Sequence, residues 1–356
     1  GTNTYGYVFD PIGNRITATN NAGGTSYAAN EINQYIAISN AVTVLPSYDE
    51  DGNMLTNGVL NYTWDGENRL NTVSSNGVLL VTYAYDCRSR RIGKEVLHLE
   101  NNIWVVAESR AFLYDGWNLI RETTENDLSY YIWGEDFSGT LQGAGGIGGL
   151  MAIVRGGNTY TPAFDANGNI TEYTDSNGII VAHYEYSPFG EAINEVSSFA
   201  DSFDLRFSSK YWEKEGTLYY FGYRFYQPVL GRWQSRDPIG ESGGVAVYQF
   251  LFNSSLVSAD YLGMMMVIPP GSSLRKLPCC GSTPFDPEKQ CCCPKTIIEI
   301  PLDDGPMVTK EELVVVEKTQ ITSGVVTYIW RGPNAKWHHW MTWPGGSADS
   351  NSSFLL

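Results

Sequence analysis

An aromatic residue followed by Asp, with Gly, Asn or Arg close behind, recurs six times, and no other feature restricts the fold of this chain as much. The copies are Phe9-Asp10 with Gly13-Asn14-Arg15, Tyr48-Asp49 with Gly52-Asn53, and Trp64-Asp65-Gly66 with Asn68-Arg69-Leu70. Tyr85-Asp86 with Arg90-Arg91, Tyr114-Asp115-Gly116 with Asn118-Leu119, and Phe164-Asp165 with Gly168-Asn169 complete the set. Alternating residues such as Val81-Thr82-Tyr83-Ala84-Tyr85 read as a strand, and Asp with Gly or Asn reverses it. Positions 49, 65 and 86 are 16 and 21 residues apart, about two strands and two turns each. Such a unit buries its apolar face only against its neighbours, so the spacing predicts an all-β chain of antiparallel hairpins stacked into a long, curling sheet.

Composition agrees. With 23 Tyr, 10 Trp, 14 Phe and 37 Gly but only 17% charged residues, the chain suits strands and tight turns, not coiled coil or disorder. The net charge of -16 is uneven, about -15 in residues 1–264 and -1 in residues 265–356. A surface that acidic does not wrap a phosphate backbone, so no nucleic acid is expected on the repeat portion. No apolar run reaches the roughly 18 residues a membrane span needs. Because the first residue is Gly1, an export signal is expected upstream, and with only about twenty strands of some ten residues the chain is expected to be the C-terminal end of a longer shell.

Beyond the repeats stand Tyr184-Glu185-Tyr186-Ser187-Pro188-Phe189-Gly190, Gly216-Thr217-Leu218-Tyr219-Tyr220, Tyr223-Arg224-Phe225-Tyr226, Gly231-Arg232-Trp233 and Ser235-Arg236-Asp237-Pro238-Ile239-Gly240. On these motifs the chain resembles the Rhs, or tyrosine-aspartate (YD) repeat, family, ending in an Rhs repeat-associated core. The resemblance covers roughly residues 1–264. It implies a YD-repeat β-shell segment over residues 1–183, a core with a self-cleavage motif over 184–264, and a variable C-terminal tail, a toxin or effector, over 265–356. It further implies a bacterial, secreted or cell-surface polymorphic toxin whose partners are its own tail as cargo and a cognate immunity protein.

Asp237-Pro238-Ile239-Gly240-Glu241 and Asp260-Tyr261-Leu262-Gly263-Met264 share one outline, with residues 242–259 between them. The pair resembles the family's doubled Asp-Pro-x-Gly-Leu motif, although Glu241, Tyr261 and Met264 stand where the family has Leu, Pro and Leu. By that resemblance Asp237 and Asp260 are the catalytic pair of an intramolecular aspartyl protease, and the bond cut joins Met264 to Met265. Two carboxyls are needed because an ionised one takes a proton from water while a protonated one donates to the scissile carbonyl. Gly243-Gly244 with the strand-like Val245–Phe250 run offers a way to return the second Asp to the first. Arg232 and Arg236 flank the first motif, where a guanidinium would hold a carboxylate ionised or orient the carbonyl.

Other motifs carry less. Gly143–Gly148 fits a dinucleotide-loop pattern but no helix opens behind it, so it reads as a sharp sheet connection. Asp165–Asn169 lacks the Glu a calcium loop needs at its twelfth position, and His98 and His183 read as sheet-face residues. In the tail, Leu313–Glu317 and Val325–Trp330 read as strands. Cys279-Cys280 and Cys291-Cys292-Cys293 lack zinc spacing and read as disulfides or free thiols. His338-His339 has no carboxylate at metal spacing and reads as a polar rim. No cofactor or metal is therefore expected. The alternative is a non-enzymatic adhesion protein with an inactive core, whose aromatic faces bind carbohydrate or a cell-surface ligand.

Overall fold

The computed structural model describes residues 3–75, 77–196, 202–256, 258–264 and 266–267, and the backbone of four strands between residues 290 and 342. The chain divides into two compact units, Gly1–Gly271 and Ser272–Leu356.

In the first unit the repeats form two antiparallel sheets in which every strand pairs with its sequence neighbour. Five strands run from Gly6–Phe9 to Thr43–Val44, and fourteen from Ser47–Tyr48 to Ala192–Val196. The ladder breaks at Leu45-Pro46, where proline has no N–H to give. Burial falls on one face. In Leu128–Trp133, Ser129 and Tyr131 are buried while Tyr130 and Ile132 face out, the period-2 pattern of a half-covered strand.

The turns are built by a carboxylate that bonds four residues ahead. Asp10 Oδ1 accepts the backbone N–H groups of Ile12, Gly13 and Asn14 at 3.0, 2.7 and 2.8 Å, and Oδ2 accepts Asn14 Nδ2 at 2.9 Å. Asp49 with Asn53 and Asp165 with Asn169 repeat this, while Asp65 and Asp86 receive Nε of Arg69 and Arg90, each at 2.8 Å. Asn and Arg therefore interchange at this place because both reach back with an N–H. Burial alone would raise the Asp10, Asp65 and Asp86 carboxyls, but these hydrogen bonds outweigh it and hold them below the ordinary carboxylate range.

The same residues stitch one repeat to the next. Asn53 Nδ2 donates to Asn68 Oδ1 at 2.7 Å, and Arg90 Nη1 to the Gly116 carbonyl at 2.6 Å. At three places the aromatic before the turn reaches the other way, to the residue that follows the preceding turn. Trp64 Nε1 donates to Met54 O at 2.8 Å, Tyr85 Oη to Leu70 O at 2.7 Å and Tyr186 Oη to Ile170 O at 2.7 Å. A register shift falls at the aromatic in each case, a bulge that turns its ring toward the neighbouring repeat.

Residues 202–264 cover the buried face of the long sheet. Tyr211–Glu213, Leu218–Tyr220, Phe225–Gln227 and Arg232–Trp233 make a four-stranded sheet. Leu205, Tyr211, Leu218, Tyr220 and Phe225 join one apolar cluster with Val81, Tyr83, Phe112, Ile153 and Tyr173 of the repeats. Each such side chain contributes about 1.5–3 kcal/mol when fully buried. Arg91 of the repeat sheet forms an ion pair with Glu213 of the covering sheet, both fully buried, and Lys94 Nζ lies 2.9 Å from Glu213 and 2.7 Å from Glu215. The Arg91 guanidinium also stacks on Phe112, 4.1 Å away, and Tyr211, 4.4 Å away.

The run Val245–Phe250 is not the strand its alternation predicts. It folds as consecutive turns that bury Val247, Tyr248 and Phe250 together, and its carbonyls accept from Trp233 N at 3.0 Å and Asp237 N at 3.0 Å. Backbone pairing to the first motif replaced the ladder expected of it.

The second unit contains an antiparallel sheet of Gln290–Glu299, Val308–Thr322, Val325–Arg331 and Trp337–Thr342, in chain order. Both runs read as strands in the tail lie within it. Cys291 to Cys293 lie on its first strand and His338-His339 on its last, whereas Cys279 and Cys280 lie outside the described residues.

Candidate active site

Arg224 enters just before strand Phe225–Gln227, in a run of aromatics from Leu218 to Tyr226 where it is the one charge. A guanidinium so buried requires partners. Its Nη2 lies 2.8 Å from Asp237 Oδ2 and 3.7 Å from Asp260 Oδ2, so the two carboxylates stand no farther apart than the sum of those distances. All three side chains are nearly excluded from solvent, at 3, 7 and 5% exposure. Below, the guanidinium packs 4.2 Å from the Trp233 ring centre, and it donates through Nη1 to Val247 O at 3.3 Å and through Nε to Gly263 O.

Each Asp is also tied to its own motif. Asp237 Oδ1 accepts Ile239 N at 3.1 Å, and its backbone N–H reaches Val247 O. Asp260 lies in the short strand Ala259–Asp260, paired with Met266–Val267 so that Asp260 stands opposite Met266. Its Oδ1 accepts Gly263 N at 2.7 Å and Met264 N at 3.0 Å, closing a turn that carries Met264 directly beside the pair. Met265 lies outside the described residues. Tyr223 N holds the Leu262 carbonyl at 3.0 Å.

Burial opposes both charges of the tight pair. It pulls Arg224 down to about 10 against the attraction of Asp237 and Asp260. It lifts Asp237 above the ordinary carboxylate range against the attraction of Arg224 and the Ile239 N–H. A cleft of about 410 Å³, lined by Asp51, Glu67, Arg69, Arg236 and Asp237, opens onto the first motif. A larger cleft of about 510 Å³ shares no residue with it, and its Arg110 is matched by Glu122 at 2.8 Å and Asp204 at 2.6 Å.

The structure thus brings Asp237, Asp260 and Met264 together but assigns the guanidinium differently. Arg232, expected to attend a carboxylate, is buried elsewhere: it donates to the Asn33 carbonyl and stacks 3.9 Å over Tyr35 and 5.0 Å over Tyr248. The reason is strand alternation, which turns Arg232 toward the first five strands. Arg236 is exposed, its side chain lying against Gly52 at the cleft wall. Spacing to Asp237 does not point to Arg224; a single charge inside an aromatic run is the signal that finds it.

Residues 1–243 match the family model described as Teneurin YD-shell. The tRNA3(Ser)-specific nuclease WapA of Bacillus spizizenii is 29% identical over 265 residues, which cover 71% of this chain and 10% of that protein. The double-stranded DNA deaminase toxin A of Burkholderia cenocepacia is 30% identical over 226 residues, 58% of this chain and 16% of that protein. The crystal structure of TcdB2-TccC3-Cdc42 aligns with a TM-score of 0.46 and 19% identity, over 73% of this chain and 17% of that one.

Proposed function

The chain belongs to the Teneurin YD-shell family, and from that premise we propose that it is the C-terminal part of an Rhs-type polymorphic toxin that cuts its own backbone after Met264 and so frees residues 265–356 as an effector. The observation that carries this reading is the approach of Asp237 and Asp260 to one nitrogen of Arg224, at 2.8 and 3.7 Å. Relatives named as a tRNA nuclease and a DNA deaminase toxin support an effector at the end of such shells. A toxin among these relatives also supports a secreted or surface-delivered protein, and a cognate immunity protein belongs to the same proposal. No helix among the described residues is long and apolar enough to cross a membrane.

The proposed chemistry divides the pair into one acid and one base. Asp237, whose carboxyl burial raises above the ordinary range, takes the part of the acid and donates to the Met264 carbonyl oxygen. Asp260 is the base: it takes a proton from a water whose oxygen bonds to the Met264 carbonyl carbon. When the tetrahedral centre collapses, the C–N bond to Met265 breaks and the proton held by Asp260 passes to the leaving nitrogen. Asp237 then recovers its own from the remaining hydroxyl. Arg224 keeps the two carboxyls in place by charge and by its bond to Gly263 O. The cleft beside Asp237 is the route by which water arrives.

Intact mass during incubation tests this. The wild-type chain is expected to yield fragments 1–264 and 265–356, and Asp237→Asn and Asp260→Asn to stay whole. A folded wild type that remains uncut removes the protease.

A further inference from the structure

The glycine-rich run Gly143–Gly148 leads into strand Leu150–Arg155 and not into a helix, and its backbone is held by a single carboxylate. Asp136 accepts Ser138 N at 2.9 Å and Ser138 Oγ at 2.6 Å on Oδ1, and Ala144 N at 2.7 Å and Gly146 N at 3.0 Å on Oδ2. The loop so fixed presents the Gly145 carbonyl to Lys210 Nζ at 2.7 Å. The same Nζ donates to the Tyr261 carbonyl at 3.1 Å. Gly145 has a φ of +65°, and a Cβ there would overlap the Tyr261 carbonyl oxygen, so only glycine allows this approach.

Three consecutive carbonyls leading to Met264 are therefore each held by a separate donor. Tyr261 O is held by Lys210, Leu262 O by the Tyr223 N–H and Gly263 O by Arg224. The Asp260 carboxylate closes the turn from inside through Gly263 N and Met264 N. Lys210 is buried, packs 5.5 Å from the Phe221 ring centre and has Asp260 and Asp136 as its nearby charges. Nothing in the acid–base chemistry uses it.

We propose that Lys210 and the Gly143–Gly148 loop form a backbone clamp that holds the Tyr261–Gly263 peptides and thereby positions the bond after Met264 at the two aspartates. This rests on the self-cutting reading for its consequence, though not for its existence. Lys210 is a positioning residue: it touches the segment to be cut and not the reacting atoms. Because the clamp grips main-chain oxygens, it is indifferent to the side chain at position 261, which explains how Tyr261 occupies a place where the family has Pro.

Two measurements on the full chain decide it. In an Asp237→Asn background, hydrogen exchange of the peptide covering residues 258–267 is expected to quicken at least tenfold when Lys210→Met is added, with strand Ile170–Thr174 unchanged. Equal exchange in the two folded proteins overturns the clamp, whether or not the wild type cuts. With Asp237 restored, Lys210→Met is expected to slow fragment release at least tenfold and Lys210→Arg, which keeps donors and charge, to recover most of it. An unaltered rate overturns the positioning role. A wild type that never cuts defeats the protease reading alone, and the clamp is then judged by exchange. Should Lys210→Met fail to fold, Gly145→Ala, which displaces the Tyr261 peptide while leaving the cation, takes its place in both measurements with the same expected outcomes.

Discussion

A buried cation between two carboxylates is a liability unless every partner is present. Removing one member of such a group leaves charge uncompensated in a low-dielectric site and costs about 3–5 kcal/mol. Arg224→Met is expected to destabilise the chain by that amount in urea unfolding and to slow self-cutting about 100-fold, the scale of one lost electrostatic donor; mass spectra over time check the second. Arg224→Lys keeps the charge but not the fan of N–H groups that reaches Asp237, Val247 and Gly263 together. Lys210 allows a pH test. Burial pulls its ammonium from the ordinary 10.5 down to about 8, against the attraction of Asp260 and Asp136. The folded chain then releases this proton before the unfolded chain does. Stability rises with pH from about 8 to 10.5, and the gain is lost as pH falls through 8. Relative to Lys210→Met, the wild type is expected to gain up to about 3 kcal/mol across that window, read from urea midpoints at its two ends.

At the scale of the element, the unit is a turn whose Asp bonds forward and, at Trp64 and Tyr85, whose aromatic bonds back. Five of the six copies pair Asp with Asn or Arg four residues on. The sixth, at Asp115, closes instead as a two-residue hairpin with Asp115 opposite Asn118, since Leu119 has no side-chain donor to offer. Asp86 accepts Arg88 N, Arg90 N and Arg90 Nε, and Arg90 in turn donates to Gly116 O of the following turn. Asp86→Ala therefore loosens two repeats at once. An expected cost of about 1–3 kcal/mol, measured by urea unfolding, exceeds that of a solvated surface carboxylate, and Glu50→Ala in an exposed turn serves as the comparison.

At the scale of the first unit, the covering segment is fastened by charge as well as apolar packing. Arg91 and Glu213 come from different sheets and are 122 positions apart in the chain. Arg91→Met should cost about 3–5 kcal/mol because Glu213 is left buried and unpaired, whereas Arg91→Met with Glu213→Gln should recover a large part of it. Equal losses in the single and double variants would show that Lys94 already neutralises Glu213. Loss of this fastening is also expected to slow self-cutting, since Arg224 rides on the same covering sheet.

What the chain determines by itself is local: period-2 burial, turns at each Asp, strand order equal to chain order, and the kinship of Asp237 with Asp260. These are legible because each hairpin contacts its neighbours in sequence, so pattern and structure share one coordinate. The partner of the acid pair was not legible by spacing. Arg232, five positions from Asp237, points to Tyr35, and Arg224, thirteen away, occupies the site. Only packing of the covering sheet decides which guanidinium is turned inward, and only the approach of Gly145 and Lys210 from distant segments decides how the residues before Met264 are held.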